Sequence, residues 1–246
     1  MPTISAVLPA YNEEKIIADS ATSMAATLAG LTDDYEVIVV DDGSRDATRQ
    51  IVESLSAQNA CIRCVNHSVN RGYGAALGTG FAAATKELIF LTDGDKQFDA
   101  REVAGFLPHI EEADLVIGYR APRMDPPMRR FNAWGWNLLV RLLFGYVARD
   151  VDCAFKLFRR SILEDVRVES IGATFSAEFL IKARRRGYRF KELQATHFPR
   201  TAGKATGAKP SVILRAFREL IVLRLTLSKS LESRGSVERA TGSEAR

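Results

Sequence analysis

Apolar and polar positions alternate in blocks along the first half of the chain. Short, nearly uninterrupted apolar runs fall at residues 4–8, 36–40, 62–65, 87–91 and 114–117. Runs of that length suit strands buried on both faces. Between them, stretches with helical periodicity occupy residues 14–28, 46–56, 75–84 and 101–110. Five strands with four intervening helices predict an α/β domain with a mostly parallel central sheet and helices on both faces. Such a sheet has a ligand crevice beyond the carboxyl ends of its strands.

The pattern changes after residue 119. Residues 120–130 are rich in Pro and Arg and read as a mobile loop. A helix-like segment follows at 131–147, then a strand-like run at 152–158, a helix at 175–186 and a strand at 188–193. A Gly-, Thr- and Lys-containing loop at 201–209 precedes a final amphipathic helix over 210–229. Its stripe is Ile213, Ala216, Phe217, Leu220, Leu223 and Leu227, with Arg215, Arg218 and Arg224 outside it. Residues 230–246 are polar and expected to be disordered. The chain therefore divides into a first half, 1–119, a second half, 120–209, the C-terminal helix and the tail.

Charge sharpens that division. Residues 1–119 carry 8 Lys/Arg against 18 Asp/Glu, whereas residues 120–229 carry 23 against 9. The acidic half suits a metal, and the basic half suits an anionic partner. Aromatic and basic residues do not interleave in a single-strand platform, so no nucleic-acid partner is expected. The pair Cys61 and Cys64 has no second Cys or His pair to complete a zinc site, and plain strand cysteines are expected. The N-terminus lacks a basic stretch before a long apolar one, which argues against a secretory signal. No apolar segment approaches the roughly 20 residues that span a bilayer, so a soluble or peripheral protein is expected.

The candidate chemistry lies at the predicted strand ends. The fourth apolar run stops at Asp93-Gly94-Asp95. If the strand continued through Asp95, period-two alternation would place both carboxylates on one face, where they can hold Mg2+ or Mn2+ against a diphosphate. The first strand ends in Pro9-Ala10-Tyr11-Asn12-Glu13 and the second in Asp41-Asp42-Gly43-Ser44. Both suit gripping a base and ribose, and turn formation or helix capping by Asp42 or Ser44 is the competing reading. After the third strand, Asn70-Arg71-Gly72-Tyr73-Gly74 allows backbone to approach a ligand at a helix N-terminus. It departs from a dinucleotide fingerprint because Leu77 takes the third glycine position and the first strand does not precede it.

Taken in order, these motifs, with Asp93 to Phe98 and Asp114 to Arg120, resemble family 2 glycosyltransferases. Residues 150–160, His197 to Arg200 and Gly203-Lys204 resemble the polyprenyl (dolichyl) phosphate mannosyl- and glucosyltransferase branch. The resemblance covers roughly residues 3–205. It implies a GT-A (Rossmann-like) nucleotide-sugar-binding fold and inverting transfer of a hexose from a nucleotide sugar, of GDP-mannose or UDP-glucose type, to a polyprenyl phosphate. By resemblance, Asp41 contacts the base or ribose with Pro9, Tyr11 and Glu13 nearby, and Asp42, Arg71, Gly74 and Asp93 complete the donor set. Asp93, Asp95 and Gln97 surround the metal. Arg120 and Arg130 face the acceptor. Asp95, Arg200, Lys204 and Glu178 form the catalytic group, although an exposed helix carboxylate is the competing reading for Glu178. Lys96 departs from the family pattern, and so does the order of residues around Lys204.

The implied location is the cytoplasmic face of the plasma membrane, held peripherally by the acceptor lipid, by the helices near Trp134 and after Pro210, or by a membrane-protein partner. Two rival readings stay open: the same core acting on a soluble glycan acceptor, and a nucleotide-sugar-binding protein without catalysis.

Overall fold

The computed structural model describes residues 1–199 and 215–227. Seven strands form one sheet: β1 Ile4–Ala10, β2 Tyr35–Asp41, β3 Ile62–Asn66, β4 Leu88–Leu91, β5 Leu115–Arg120, β6 Lys156–Arg159 and β7 Phe190–Ala195. Their order is β3-β2-β1-β4-β6-β5-β7, and every neighbouring pair is parallel except those made by β6. The helices are α1 Ile17–Ala29, α2 Thr48–Gln58, α3 Tyr73–Ala83, α4 Val103–Phe106, α5 Pro127–Phe144, α6 Ile162–Asp165 and α7 Phe175–Arg185. An eighth, α8, covers residues 215–227.

Period-two alternation sorts the strand residues onto two cores. On β1, Ile4, Ala6 and Leu8 join α1 and α4 residues such as Met24, Leu28 and Phe106, while Val7 joins α3 and α7 residues such as Leu77, Phe81 and Phe179 on the other face. Aromatic edges tie each side: Phe90 and Phe106 meet Phe155, and Phe81 and Phe179 meet Phe158. The predicted α/β architecture is therefore the observed one.

The differences are local. The expected helix at 101–110 is a short α-helix, α4, between two 3-10 turns at Ala100–Glu102 and Leu107–Glu111. α5 begins at Pro127, where a proline costs no helical hydrogen bond, and stops at Gly145, whose φ is +80°. The strand expected from 152 begins only at Lys156, because its buried ammonium gathers the carbonyls of Val151 and Cys153 into a turn. The tail at 230–246 and the loop at 201–209 lie outside the described residues.

Two features of the topology position the site. The chain turns one way from β1 to β2 and the other way to β4, so the sheet reverses between β1 and β4. Crevices in open α/β sheets form at such points. In addition, β6 runs against its neighbours, with Lys156 opposite Leu91 and Ile117. The residues just before Lys156 therefore emerge where the parallel strands end.

Candidate active site

The loops after β1 and β4 meet at the sheet reversal. β1 runs three residues beyond the pairing of Val7 with Leu91. The loop from Thr92 folds alongside that overhang, and a Cβ on Gly94 would lie 3.5 Å from the Pro9 carbonyl. The Ser20 hydroxyl of α1 donates to the Gly94 carbonyl at 2.7 Å, fixing the loop from behind. β4 itself stops at Leu91, and Gly94 and Asp95 lie in a turn. Strand alternation therefore does not set the two carboxylates; the turn does. Asp95 is buried and accepts the Gln97 amide N–H at 3.1 Å. Asp93 accepts the Tyr73 hydroxyl at 2.9 Å. The Gln97 side-chain amide donates to the Phe198 carbonyl at 3.2 Å and lies 3.3 Å from the His197 ring. His197 also accepts the Met124 N–H at 3.2 Å, and burial holds its pKa below the ordinary histidine value. Lys96 takes a positive φ and turns outward to pair with Asp19, away from the carboxylates.

Asp41 is buried at the end of β2, where its carboxylate accepts the Ser44 N–H at 3.2 Å. Asp42 is a structural hub: it accepts Arg71 N–H at 2.9 Å and Gly72 N–H at 2.8 Å, and contacts the His67 ring at 2.7 Å. His67 reaches Thr79 of α3 with its other ring nitrogen. The β1 and β2 loops are stitched together by Asn12 N–H on Ser44 Oγ, Arg45 N–H on Asn12 Oδ1, and Glu13 N–H on Thr48 Oγ1. Asp42 is thus committed to loop positioning, and Ser44 to loop pairing. Gly74 is buried, and a Cβ there would meet Ile171, Gly172 and Phe175 backbone or Cβ atoms within 2.8 Å. Pro9 and Tyr11 are half-buried at the rim, and the Arg71 side chain is exposed.

The second half adds a cluster of ion pairs. Arg120 binds Asp150 through two bonds of 2.7 Å, and Arg123 and Arg129 converge on buried Asp125 at 2.6 and 3.0 Å. Burial alone would lower the Arg120 pKa and raise that of Asp150. Their pairing outweighs it and moves each the opposite way. Arg120 thus stands at the crevice with its guanidinium closed onto Asp150, while Arg130 is exposed on the first turn of α5. Glu178 is not an exposed helix carboxylate. It is buried on α7 and accepts the Glu169 and Ser170 N–H groups at 3.0 and 2.9 Å. Burial tends to raise its pKa, but its pairing with Lys182 and these hydrogen bonds leave it below the ordinary value. Arg200 and Lys204 lie outside the described residues.

The site also includes Tyr73 and Asp152, to which the sequence motifs assign no role. Asp152 opens to solvent, yet protein surrounds it closely enough that burial and then Asp150 raise its pKa; it accepts the Trp136 indole N–H at 3.2 Å. Tyr73 is likewise exposed, but the protein packed around it, then Asp93, raises its pKa, and Asp152 and Asp95 add to the effect. Asp152 reaches the site through the antiparallel entry of β6, which no local periodicity in the sequence reveals.

Among the described residues, no cluster of three or more His, Cys, Asp and Glu side chains is placed to hold a metal by itself. Asp93 and Asp95 do offer hard oxygen donors beside a crevice. Such a pair fits a cation that completes its shell with diphosphate and water oxygens.

An open α/β sheet with carboxylates at its reversal point and a glycine loop facing them is the plan of a GT-A nucleotide-sugar domain. The glycosyl transferase family 2 model matches residues 5–167, and the chain belongs to that family. It is 31% identical over 169 residues to a dodecaprenyl-phosphate galacturonate synthase of Rhizobium johnstonii, covering 67% of this chain and 50% of that protein. It is 30% identical over 207 residues to a dolichyl-phosphate beta-glucosyltransferase of Trichomonas vaginalis, covering 77% and 64%. The chain thus spans only about half to two thirds of these relatives. In structure it resembles glucosyl-3-phosphoglycerate synthase of Mycobacterium tuberculosis in complex with Mn2+, UDP and phosphoglyceric acid. That likeness has a TM-score of 0.73 at 20% identity and covers 91% of this chain and 78% of the other. At that identity, the likeness concerns the fold.

Proposed function

We propose that this chain transfers a hexose from a nucleotide sugar to a polyprenyl phosphate, with Mg2+ or Mn2+, at the cytoplasmic face of a membrane. The observation that carries this reading is the meeting of Asp93, Asp95 and Gln97 with the Pro9 end of β1 and the Gly72–Gly74 loop. The relatives named for lipid-phosphate acceptors support the acceptor class.

In this reading Asp41, Pro9, Tyr11 and Glu13 grip the nucleoside, and the amino end of α3 faces the diphosphate, while the missing side chain of Gly74 makes room for the 171–175 segment rather than for the ligand. Asp93, Asp95 and Gln97 hold the divalent cation, which when bound offsets charge on the departing nucleoside diphosphate. Arg120, Arg123, Arg129 and Arg130 receive the acceptor phosphate, the first three by exchanging carboxylate partners for phosphate oxygens. Arg200 and Lys204 add positive charge to either phosphate. A phosphate acceptor is already anionic at neutral pH, so attack needs alignment rather than a strong base. Glu178 has no base role in this scheme.

The membrane part of the reading is supported by α5 and α8. Met128, Phe131, Trp134, Leu138 and Leu142 form an exposed stripe at helical spacing, whereas Trp136 and Val140 of the same helix pack inward. Phe217, Ile221 and Leu225 of α8 are also exposed, and Trp136 touches Phe217. No described helix is long and apolar enough to cross a membrane. Surface docking by these helices, alone or with a membrane-protein partner, suits such a protein.

The test is incubation of purified protein with Mg2+ or Mn2+, polyprenyl phosphate, and GDP-mannose, UDP-glucose or UDP-GlcNAc in turn. Sugar in the organic phase is expected with one donor. Transfer only to soluble glycans, or donor binding without transfer, would replace this reading with one of its rivals.

A further inference from the structure

The buried acid Glu178 lies under a short strap that covers the donor loop. Its carboxylate accepts the backbone N–H groups of Glu169 and Ser170 and the Ser170 hydroxyl, the last at 2.5 Å, and pairs with Lys182 at 2.6 Å. From there the chain crosses the start of α3. The Ile171 carbonyl accepts the Ala75 N–H at 3.2 Å, and the strap leaves no room for a Cβ at Gly74. A second acid holds the far end: Glu219 of α8 accepts the hydroxyl of buried Thr174 and lies against Gly172. The first residue of α3 is Tyr73, whose hydroxyl meets Asp93.

We propose that Glu219 is a positioning residue that completes, from α8, the clamp of residues 169–174 over the first turn of α3 and thereby holds Tyr73 against Asp93. The clamp joins α8 to the donor loop, so displacement of α8 loosens the site some distance from it. The clamp rests on the proposed function only for the choice of ligand, because it is itself a matter of packing.

The test uses the full chain with Glu219→Ala, Glu219→Gln, Thr174→Val and the Glu219→Ala/Thr174→Val double variant. Amide hydrogen exchange at residues 72–76 is measured without ligand, and UDP and GDP affinities are measured calorimetrically with Mn2+. Glu219→Ala and Thr174→Val are each expected to speed exchange there about 10-fold and weaken nucleotide binding roughly 5-fold, with the double variant no worse than either. Glu219→Gln keeps an oxygen that accepts the Thr174 hydroxyl and is expected to recover most of both. Unchanged exchange at 72–76, loss of global stability alone, or additive effects in the double variant would overturn the proposal. Should the wild type bind neither nucleotide, the donor reading fails while the exchange result still decides the clamp.

Discussion

At the scale of single residues, the turn after Leu91 sets the placement of the Asp93 and Asp95 carboxylates. Asp95→Asn is expected to keep the fold, since Asn still accepts the Gln97 N–H, while lowering transfer by at least about 100-fold. Thermal melting and organic-phase product check the two halves of that statement. Asp93 and Asp95 were legible as the end of an apolar run, whereas the pairing of Asp150 with Arg120 was not. That pairing joins positions 30 apart and could not be read from either motif. Breaking a buried pair from one side leaves an uncompensated charge, so Asp150→Asn is expected to cost about 3 kcal/mol at pH 7 by denaturant unfolding. The pKa of Asp150 is depressed in the folded state. Its contribution is therefore present above the unfolded aspartate pKa of about 3.9 and is lost as pH falls through the folded value. The depressed His197 acts in the same direction at higher pH, losing stability as pH falls below about 6.5. Wild-type melting temperature is thus expected to decline on acidification, and the Asp150→Asn difference to shrink below about pH 4.

At the scale of elements, the strands of the first half were legible because buried parallel strands carry long apolar runs. The direction of β6 was not, since alternation says nothing about parallel or antiparallel pairing. That direction brings Asp150 and Asp152 to the crevice. The loops were legible only as turn chemistry. Gly43 shows why: it takes φ +70°, and a Cβ there would lie 2.4 Å from the Val69 backbone. The close approach is a tertiary contact, and the sequence carries only the glycine. Gly43→Ala is expected to destabilise the chain by about 1–3 kcal/mol, measured by chemical denaturation, with weaker nucleotide binding as the Asp42 hub shifts.

At the scale of the molecule, the charge split marks two halves that share one sheet. β6 and β7 of the basic half join β1 to β5 of the acidic half in one sheet, β6 lying between β4 and β5 and β7 at the edge beside β5. The amphipathic helices were visible as periodicity, but which face of α5 packs inward required Trp136 and Asp152 to be placed together. The exposed stripe with Arg129, Arg130 and Arg141 nearby is expected to bind phosphatidylglycerol vesicles more tightly than phosphatidylcholine vesicles. Trp134→Glu with Leu138→Glu is expected to reduce cosedimentation roughly 10-fold without changing the melting temperature. Everything proposed for the whole molecule turns on sugar transfer to a lipid phosphate. Its most direct measurement follows nucleoside diphosphate release and organic-phase sugar together, with the active nucleotide sugar, Mn2+ and polyprenyl phosphate. Equal amounts of the two products are expected, both dependent on the lipid phosphate and both abolished by EDTA. Nucleoside diphosphate release that proceeds equally without the lipid would contradict such transfer.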